Sequence, residues 1–182
     1  LPISVSAVDD EGILESHSIS ICNALSQTKI LPDQQQTKLQ CLSEASISNP
    51  TTVHSDLPLA EIESHAAGQL FNNCSLISGS NANLSSTFNN LENKDIWHFA
   101  CHCRFNTEFP ENSELILADK ESLTMMDILQ YPWKNTPSLV VLSACDSAKF
   151  DQRQPSEFNG LVSAFQDIGA KGVIASLWKV DD

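Results

Sequence analysis

Two apolar runs, each ending in a reactive residue, limit the folds open to this chain more than any other feature. The first covers residues 95–102 (DIWHFACH) and ends in His102, and the second covers residues 139–145 (LVVLSAC) and ends in Cys145. Short, nearly continuous apolar runs are typical of strands that are covered on both faces in a parallel sheet. The sequence therefore predicts two buried strands that end in a histidine and a cysteine.

Strand and helix patterns alternate regularly from residue 57 onward. Further strands are predicted at residues 3–8, 74–77, 114–118 and 172–178. Helices are predicted at residues 13–25, 59–71 and 159–168, after an N-cap at Ser122 as far as residue 129, and after an N-cap at Asn81 or Asn83 as far as residue 91. This alternation predicts an α/β fold, a three-layer sandwich with a mostly parallel central sheet and helices on both faces.

Two of the predicted helices carry an apolar face that we expect to be buried. In residues 59–71 this face consists of Leu59, Ile62, Ala66, Leu70 and Phe71. In the helix after Ser122 the apolar set is Met125, Met126, Ile128 and Leu129, and the methionine pair is predicted to lie in the core.

Residues 31–57 form a polar stretch interrupted by proline, and we predict a long loop there. The loop divides the chain into residues 1–56, a strand, a helix and a loop of the same domain, and residues 57–182, the well-patterned core. A length of 182 residues suits one domain.

Charge and cysteine usage exclude several classes of function. The formal net charge is −13, from 23 acidic and 10 basic residues, which disfavours contact with nucleic acid or with an anionic membrane. No apolar stretch reaches the length of a membrane-spanning helix, and the first residues lack a secretory leader. The six irregularly spaced cysteines are predicted to be reduced thiols of a cytoplasmic protein.

The ends of parallel strands are where open α/β sheets bind ligands. If the two apolar strands are neighbours, their ends bring His102 and Cys145 together, and a thiol beside a base suits nucleophilic catalysis. A histidine about 50 residues before the cysteine is also the order found in caspases.

His98, inside the apolar run, is predicted to be a core histidine with satisfied hydrogen bonds. A zinc site at His98, Cys101, His102 and Cys103 is an alternative, but side chains on one strand split between opposite faces.

Several segments in order resemble signature blocks of the CHAT domain, which groups with caspases and separases. They include HFACHC (98–103), SELILAD (113–119), LSACDSA (142–148) and SLWKVDD (176–182), and the resemblance runs from about residue 57 to the end. The family pattern continues past Asp182, so the resemblance leads us to expect either a fold that is incomplete at its C-terminal edge or a final part that is disordered or removed.

The resemblance implies a caspase-like cysteine endopeptidase without a cofactor or metal. By position, His102 is the general base and Cys145 the nucleophile, and the backbone N–H groups of Cys103 and Cys145 form the oxyanion hole. The family has glycine where this chain has Cys103, which leaves a catalytically silent binding or scaffold module as the alternative. A flavodoxin-like phosphate binder would need a glycine-rich turn, which is absent.

The same resemblance implies partners. Asp182 matches an aspartate that receives a basic P1 residue in separases, and Asp146 beside the nucleophile is a second acidic wall. We therefore expect a protein or peptide substrate with a basic P1 residue. Many relatives carry upstream TPR repeats that sense the activating signal, so regulation by regions outside this chain is expected.

Overall fold

The computed structural model describes residues 7–8, 11–12, 42–51, 54, 56–106, 108–144 and 160–176. The chain divides into two compact units, Leu1–Asp33 and Gln34–Asp182. In the first unit, strand β1 (Ala7–Val8) pairs antiparallel with β2 (Glu11–Gly12). The predicted helix at residues 13–25 lies outside the described residues.

The second unit contains a five-stranded sheet and a small three-stranded sheet. The strands of the large sheet are β3 (Ser43–Pro50), β4 (Asn73–Gly79), β5 (Ile96–Ala100), β9 (Leu139–Ser143) and β10 (Val173–Ala175). Their spatial order is β10-β9-β5-β3-β4, and every neighbouring pair is parallel. The small sheet is antiparallel and consists of β6 (Cys103–Arg104), β7 (Glu114–Ile116) and β8 (Ser122–Thr124). The predicted α/β fold with a mostly parallel central sheet is confirmed.

Within the described residues, four α-helices accompany the sheet: α1 (Pro58–Gly68), α2 (Leu84–Leu91), α3 (Met125–Gln130) and α4 (Leu161–Asp167). Asn83 caps α2, because its side chain accepts a hydrogen bond from the Ser86 N–H at 2.9 Å. In the part of the chain that the structure describes, no helix is long and apolar enough to cross a membrane.

The predicted N-cap at Ser122 is wrong. Ser122 is the first residue of β8, and α3 begins three residues later with Thr124 as its cap. Thr124 and Asp127 exchange side-chain-to-backbone hydrogen bonds in a capping box, which fixes the helix start there. Met126 and Leu129 of the predicted core set are exposed, whereas Ile128 is fully buried and Met125 packs against the core.

The predicted loop at residues 31–57 is wrong over β3, which lies in the large sheet between β5 and β4. Its sequence, SEASISNP, is mostly polar, yet nearly every residue is buried. The side chains of Ser43, Glu44 and Ser46 have hydrogen-bonding partners within β3 and on neighbouring elements, so the strand does not need the apolar run that marks β5 and β9.

The two faces of the large sheet differ in chemistry. One face carries apolar side chains such as Ile47, Trp97, Phe99 and Leu142, which pack against α2, α3 and α4. We call this the apolar face. The other face carries Glu44, Ser46 and His98 and is covered by α1; we call it the polar face. The sheet and the helices on its two sides form the predicted three layers.

The predicted buried face of the first helix is wrong. Leu59 and Ile62 are 53% and 63% exposed, and the residues of α1 that are buried are Ala60, Ser64 and Gly68. These small residues recur every four positions and let the helix lie close to the polar face. A Cβ added at Gly68 would come within 2.5 Å of the Cys74 Sγ on β4, so larger side chains do not fit between helix and sheet.

Candidate active site

The carboxyl ends of β5 and β9 lie side by side. The two strands are parallel neighbours, and Ala100 at the end of β5 is in register with Ser143 at the end of β9. His102 follows Ala100 by two residues, and Cys145 follows Ser143 by two residues. The adjacency that the sequence analysis required is therefore present, although Cys145 itself lies outside the described residues.

His102 lies half-buried between β5 and β6. Its carbonyl accepts a hydrogen bond from the Ile116 N–H at 2.9 Å, which ties this segment to the small sheet. Its ring centroid is 5.3 Å from that of His54, and the two planes are tilted by 51°. His54 was missed by the sequence analysis because it stands alone in a polar stretch without a motif.

Cys103 is the first residue of β6 and is in register with Leu115 of β7. Its side chain is half-buried and packs against the hydrophobic core. The cysteine that replaces the family glycine is thus accommodated in a strand, beside the residue that the resemblance assigns as the base.

A cavity of about 140 Å³ adjoins this segment. It is lined by His54 and by Arg104, the residue after Cys103, together with residues of the small sheet and of the turn before β8: Glu114, Ile116, Leu117, Lys120, Glu121 and Ser122. Arg104 donates to Glu114 at 2.6 Å, so one acid of the lining is already paired.

His98 is 4% exposed and lies on the polar face beneath α1. Its Nε2 is 3.2 Å from Glu63 Oε1, and its Nδ1 is 3.6 Å from Glu44 Oε1 and 3.3 Å from the Ser46 hydroxyl. The prediction of a buried histidine with hydrogen-bonding partners is confirmed. Glu44 and Glu63 are therefore the acidic partners of His98.

Glu44 is 1% exposed and is surrounded by donors. Burial alone would raise the pKa of this carboxyl, but hydrogen bonds involving His98, Ser46 and Cys74 outweigh it and hold the pKa below the ordinary value of 4.5. The Ser46 hydroxyl donates to Glu44 at 2.7 Å and the Cys74 thiol at 3.1 Å. The polar face therefore contains a buried, ionised carboxylate.

The residues just before Cys145 are hydrogen-bonded from two sides. The Ser143 hydroxyl donates to Glu63 Oε2 at 2.9 Å, although the two residues are 80 positions apart. The Ala144 carbonyl accepts a hydrogen bond from the Ser176 hydroxyl, just beyond β10. We call the set Glu44, Ser46, Glu63, His98 and Ser143 the polar network.

Two of the described cysteines differ from a reactive thiol. Cys74, Cys101 and Cys103, the cysteines that the structure describes, take part in no disulfide. Burial, with the hydrogen bond to Glu44, raises the pKa of Cys74 to about 11. Burial also raises the pKa of Cys101, which is 2% exposed. Because thiolate is the reacting form, Cys74 and Cys101 are poor nucleophiles at neutral pH.

Asp146 and Asp182, the residues assigned to the substrate pocket, lie outside the described residues, so of the assigned site the structure places His102 and Cys103. Among the described residues, no group of three or more His, Cys, Asp or Glu side chains could hold a metal ion.

An open parallel sheet with helices on both faces, and with a histidine and a cysteine just past the ends of adjacent strands, has the caspase-like architecture. The family model of the CHAT domain matches residues 1–182, and the chain belongs to this family. The match covers the whole chain and so extends beyond the resemblance seen from residue 57. CHAT domains form a caspase-like peptidase family. No curated protein matches the chain.

Proposed function

We propose that this chain is a cysteine endopeptidase in which Cys145 is the nucleophile and His102 the general base. The observation that carries the proposal is the register of β5 and β9, which pairs Ala100 with Ser143. His102 follows Ala100 by two positions, and Cys145 follows Ser143 by two positions, at the same edge of the sheet. Membership in the CHAT family supports the same assignment.

In this mechanism His102 takes the thiol proton, and the Cys145 sulfur attacks the scissile carbonyl carbon. The negative charge on the carbonyl oxygen is stabilised by the backbone N–H groups of Cys103 and Cys145. The C–N bond then breaks as His102 returns the proton to the leaving amine. Water, deprotonated by His102, hydrolyses the thioester and releases the second product.

The substrate is proposed to be a protein with a basic residue before the cleaved bond, facing Asp182 and Asp146. A net charge of −13 favours a basic substrate segment. The cavity beside the His102 segment, lined by His54 and Arg104, is where a neighbouring substrate residue would lie. Activation is proposed to depend on regions outside this chain, such as a TPR-type sensor.

The alternative is a catalytically silent CHAT domain that binds a partner. Cys103 favours it, because a Cβ stands where the family has none and would leave less room for the substrate carbonyl beside the N–H that binds the oxyanion. A silent domain has no need for an activated thiol at residue 145, so thiol reactivity separates the two functions.

The test is covalent labelling by a peptidyl electrophile with arginine or leucine at P1, which detects the site without requiring turnover. We expect Cys145 to be labelled while Cys74 and Cys101 are not, and expect the arginine probe to react faster. Cys145→Ala should abolish labelling, and His102→Ala should slow it at least 100-fold, since a general base contributes about that much.

His65→Ala is the matched histidine control, because His65 is exposed on α1, and its labelling should equal that of the wild type. Labelling of Cys145 no faster than Cys74 would contradict catalysis and favour the silent domain. Equal labelling of wild type and His102→Ala would remove His102 from the mechanism.

A further inference from the structure

Glu63 connects the buried centre of the polar face to the strand end that precedes Cys145. Although 46% of its side chain is exposed, both of its oxygens have partners. Oε1 is 3.2 Å from His98 Nε2, and Oε2 accepts from the Ser143 hydroxyl at 2.9 Å. The carboxylate therefore bridges β5 and β9 from a third element, α1.

The inner end of this bridge is rigid. His98 is buried, and its other ring nitrogen faces Glu44 and Ser46 of β3. Both ring nitrogens have an oxygen within 3.6 Å, so the orientation of the imidazole is fixed from both sides. Glu63 is consequently attached to the most buried part of the sheet.

The helix that carries Glu63 is also closely seated. Ala60, Ser64 and Gly68 are the buried residues of α1, and their small side chains bring the helix backbone near the sheet. At Gly68 the approach leaves no room for a Cβ, because Cys74 Sγ would be 2.5 Å away. A short glutamate side chain on such a helix reaches Ser143 only in a narrow range of positions.

We infer that Glu63 is a positioning residue for the cysteine: through Ser143 it sets the direction in which the chain leaves β9 and presents Cys145 to His102. This inference rests on the proposed function. Cys145 is two positions after Ser143, so a shift at the strand end is passed directly to the nucleophile. Misplacement of a reacting atom by even 1 Å slows reactions substantially.

The test measures the kinetics of Cys145 labelling by the peptidyl electrophile, separating the binding constant of the probe from the rate of the covalent step. Glu63→Ala should slow the covalent step about tenfold, the effect of losing one charge-assisted hydrogen bond. The binding constant of the probe should stay within about twofold of the wild-type value, which corresponds to about 0.4 kcal/mol. Loss of a hydrogen bond to the probe itself would change it by more than that. Ser143→Ala should have the same effect, and the double variant should be no slower than either single variant, because both remove one interaction.

Glu61→Ala is the matched control, since it removes a glutamate two positions away on the same helix that accepts a hydrogen bond from Asn49 at 3.4 Å. Its covalent step should equal that of the wild type. Iodoacetamide lacks the peptide part of the probe but still needs the thiolate that His102 generates, so its alkylation of Cys145 in Glu63→Ala should slow by a similar factor. That result separates misplacement of Cys145 relative to His102 from a change in probe binding.

The outcomes separate this inference from the proposed function. If wild-type Cys145 is not labelled, the endopeptidase proposal fails and the inference fails with it. If wild-type Cys145 is labelled and both Glu63→Ala and Ser143→Ala react at the wild-type rate, the positioning role is overturned while the proposed function stands. Should Glu63→Ala not fold, Ser143→Ala removes the same hydrogen bond at an exposed position of β9 without altering α1.

Discussion

The two faces of the large sheet are stabilised in different ways although they share the same strands. The apolar face buries Trp97 and Phe99 of β5 against Phe165 of α4, with ring centroids 6.2 Å and 5.8 Å apart. The polar face buries His98 of the same strand between two carboxylates. One face depends on the packing of large side chains, and the other depends on hydrogen bonds beneath a close helix.

This difference assigns separate roles to the two faces. Burial of apolar area is non-directional and stabilises the fold without fixing one atom relative to another. A satisfied polar network is directional, and here it leads from β3 through His98 and Glu63 to Ser143 at the strand end. We therefore interpret the apolar face as the main source of stability and the polar face as the device that orients the proposed site.

The largest effect on stability is expected from the apolar face. Phe99→Ala should lower the free energy of unfolding by about 3–5 kcal/mol, because it removes a fully buried ring and leaves a cavity. Denaturant unfolding of both proteins measures this difference.

The matched change on the polar face is Ser48→Ala. The Ser48 hydroxyl is buried and has no hydrogen-bonding partner among the described residues, so its removal should leave the free energy of unfolding unchanged within about 0.5 kcal/mol, or raise it. A loss at Ser48 as large as that at Phe99 would contradict the division between the two faces.

A smaller effect, dependent on pH, is expected at Glu44. Glu44→Gln should cost about 1–3 kcal/mol near neutral pH, because it weakens the hydrogen bonds of a buried ionised carboxylate. The folded pKa of Glu44 lies below 4.5, so its contribution is fully present above that value and is lost as pH falls through the folded pKa. Thermal unfolding at a series of pH values measures the difference in free energy of unfolding between wild type and variant.

The difference in free energy of unfolding between wild type and Glu44→Gln should thus become smaller only in acid. Glu111→Gln, at an exposed position, is the control and should track the wild type at every pH. A gap that stays constant down to pH 3, or that widens in acid, would show that the carboxylate is not the stabilising form.

The same contrast explains what could be predicted from the sequence. β5 and β9 were predicted because the apolar face supplies alternate large residues and the positions between them also include apolar residues, such as Val141 and Ala100. β3 was missed because its polar-face residues are Glu44, Ser46 and Ser48. Their burial depends on partners distant in sequence, and no local pattern shows those partners.

The site was predictable to a similar extent. The juxtaposition of the His102 and Cys145 segments followed from two strand ends, which the register of β5 and β9 now shows to be adjacent. The roles of Glu63 and His54 could not be predicted from the sequence. Glu63 lies on α1, whose apolar residues Leu59 and Ile62 suggest a buried face but are exposed. His54 lies in a stretch without a motif. Helical periodicity reports which residues share a face but not how close the facing sheet lies.

The smallest of the expected losses in stability tests that closeness directly. Gly68→Ala should destabilise the fold by about 1 kcal/mol, because overpacking against Cys74 Sγ, 2.5 Å from the new Cβ, exceeds the gain in helix propensity. In a Cys74→Ala background the sulfur is gone, so the same substitution should become neutral or stabilising.

Gly172→Ala is the control, because its nearest contact would be an ordinary 3.5 Å to Leu139, and it should change stability by less than about 0.5 kcal/mol in either background. A double-mutant cycle by denaturant unfolding measures the coupling. Destabilisation by Gly68→Ala that persists without the sulfur would show that contact with Cys74 does not limit the distance between α1 and the sheet. The close seating of α1 would then not explain how Glu63 reaches Ser143.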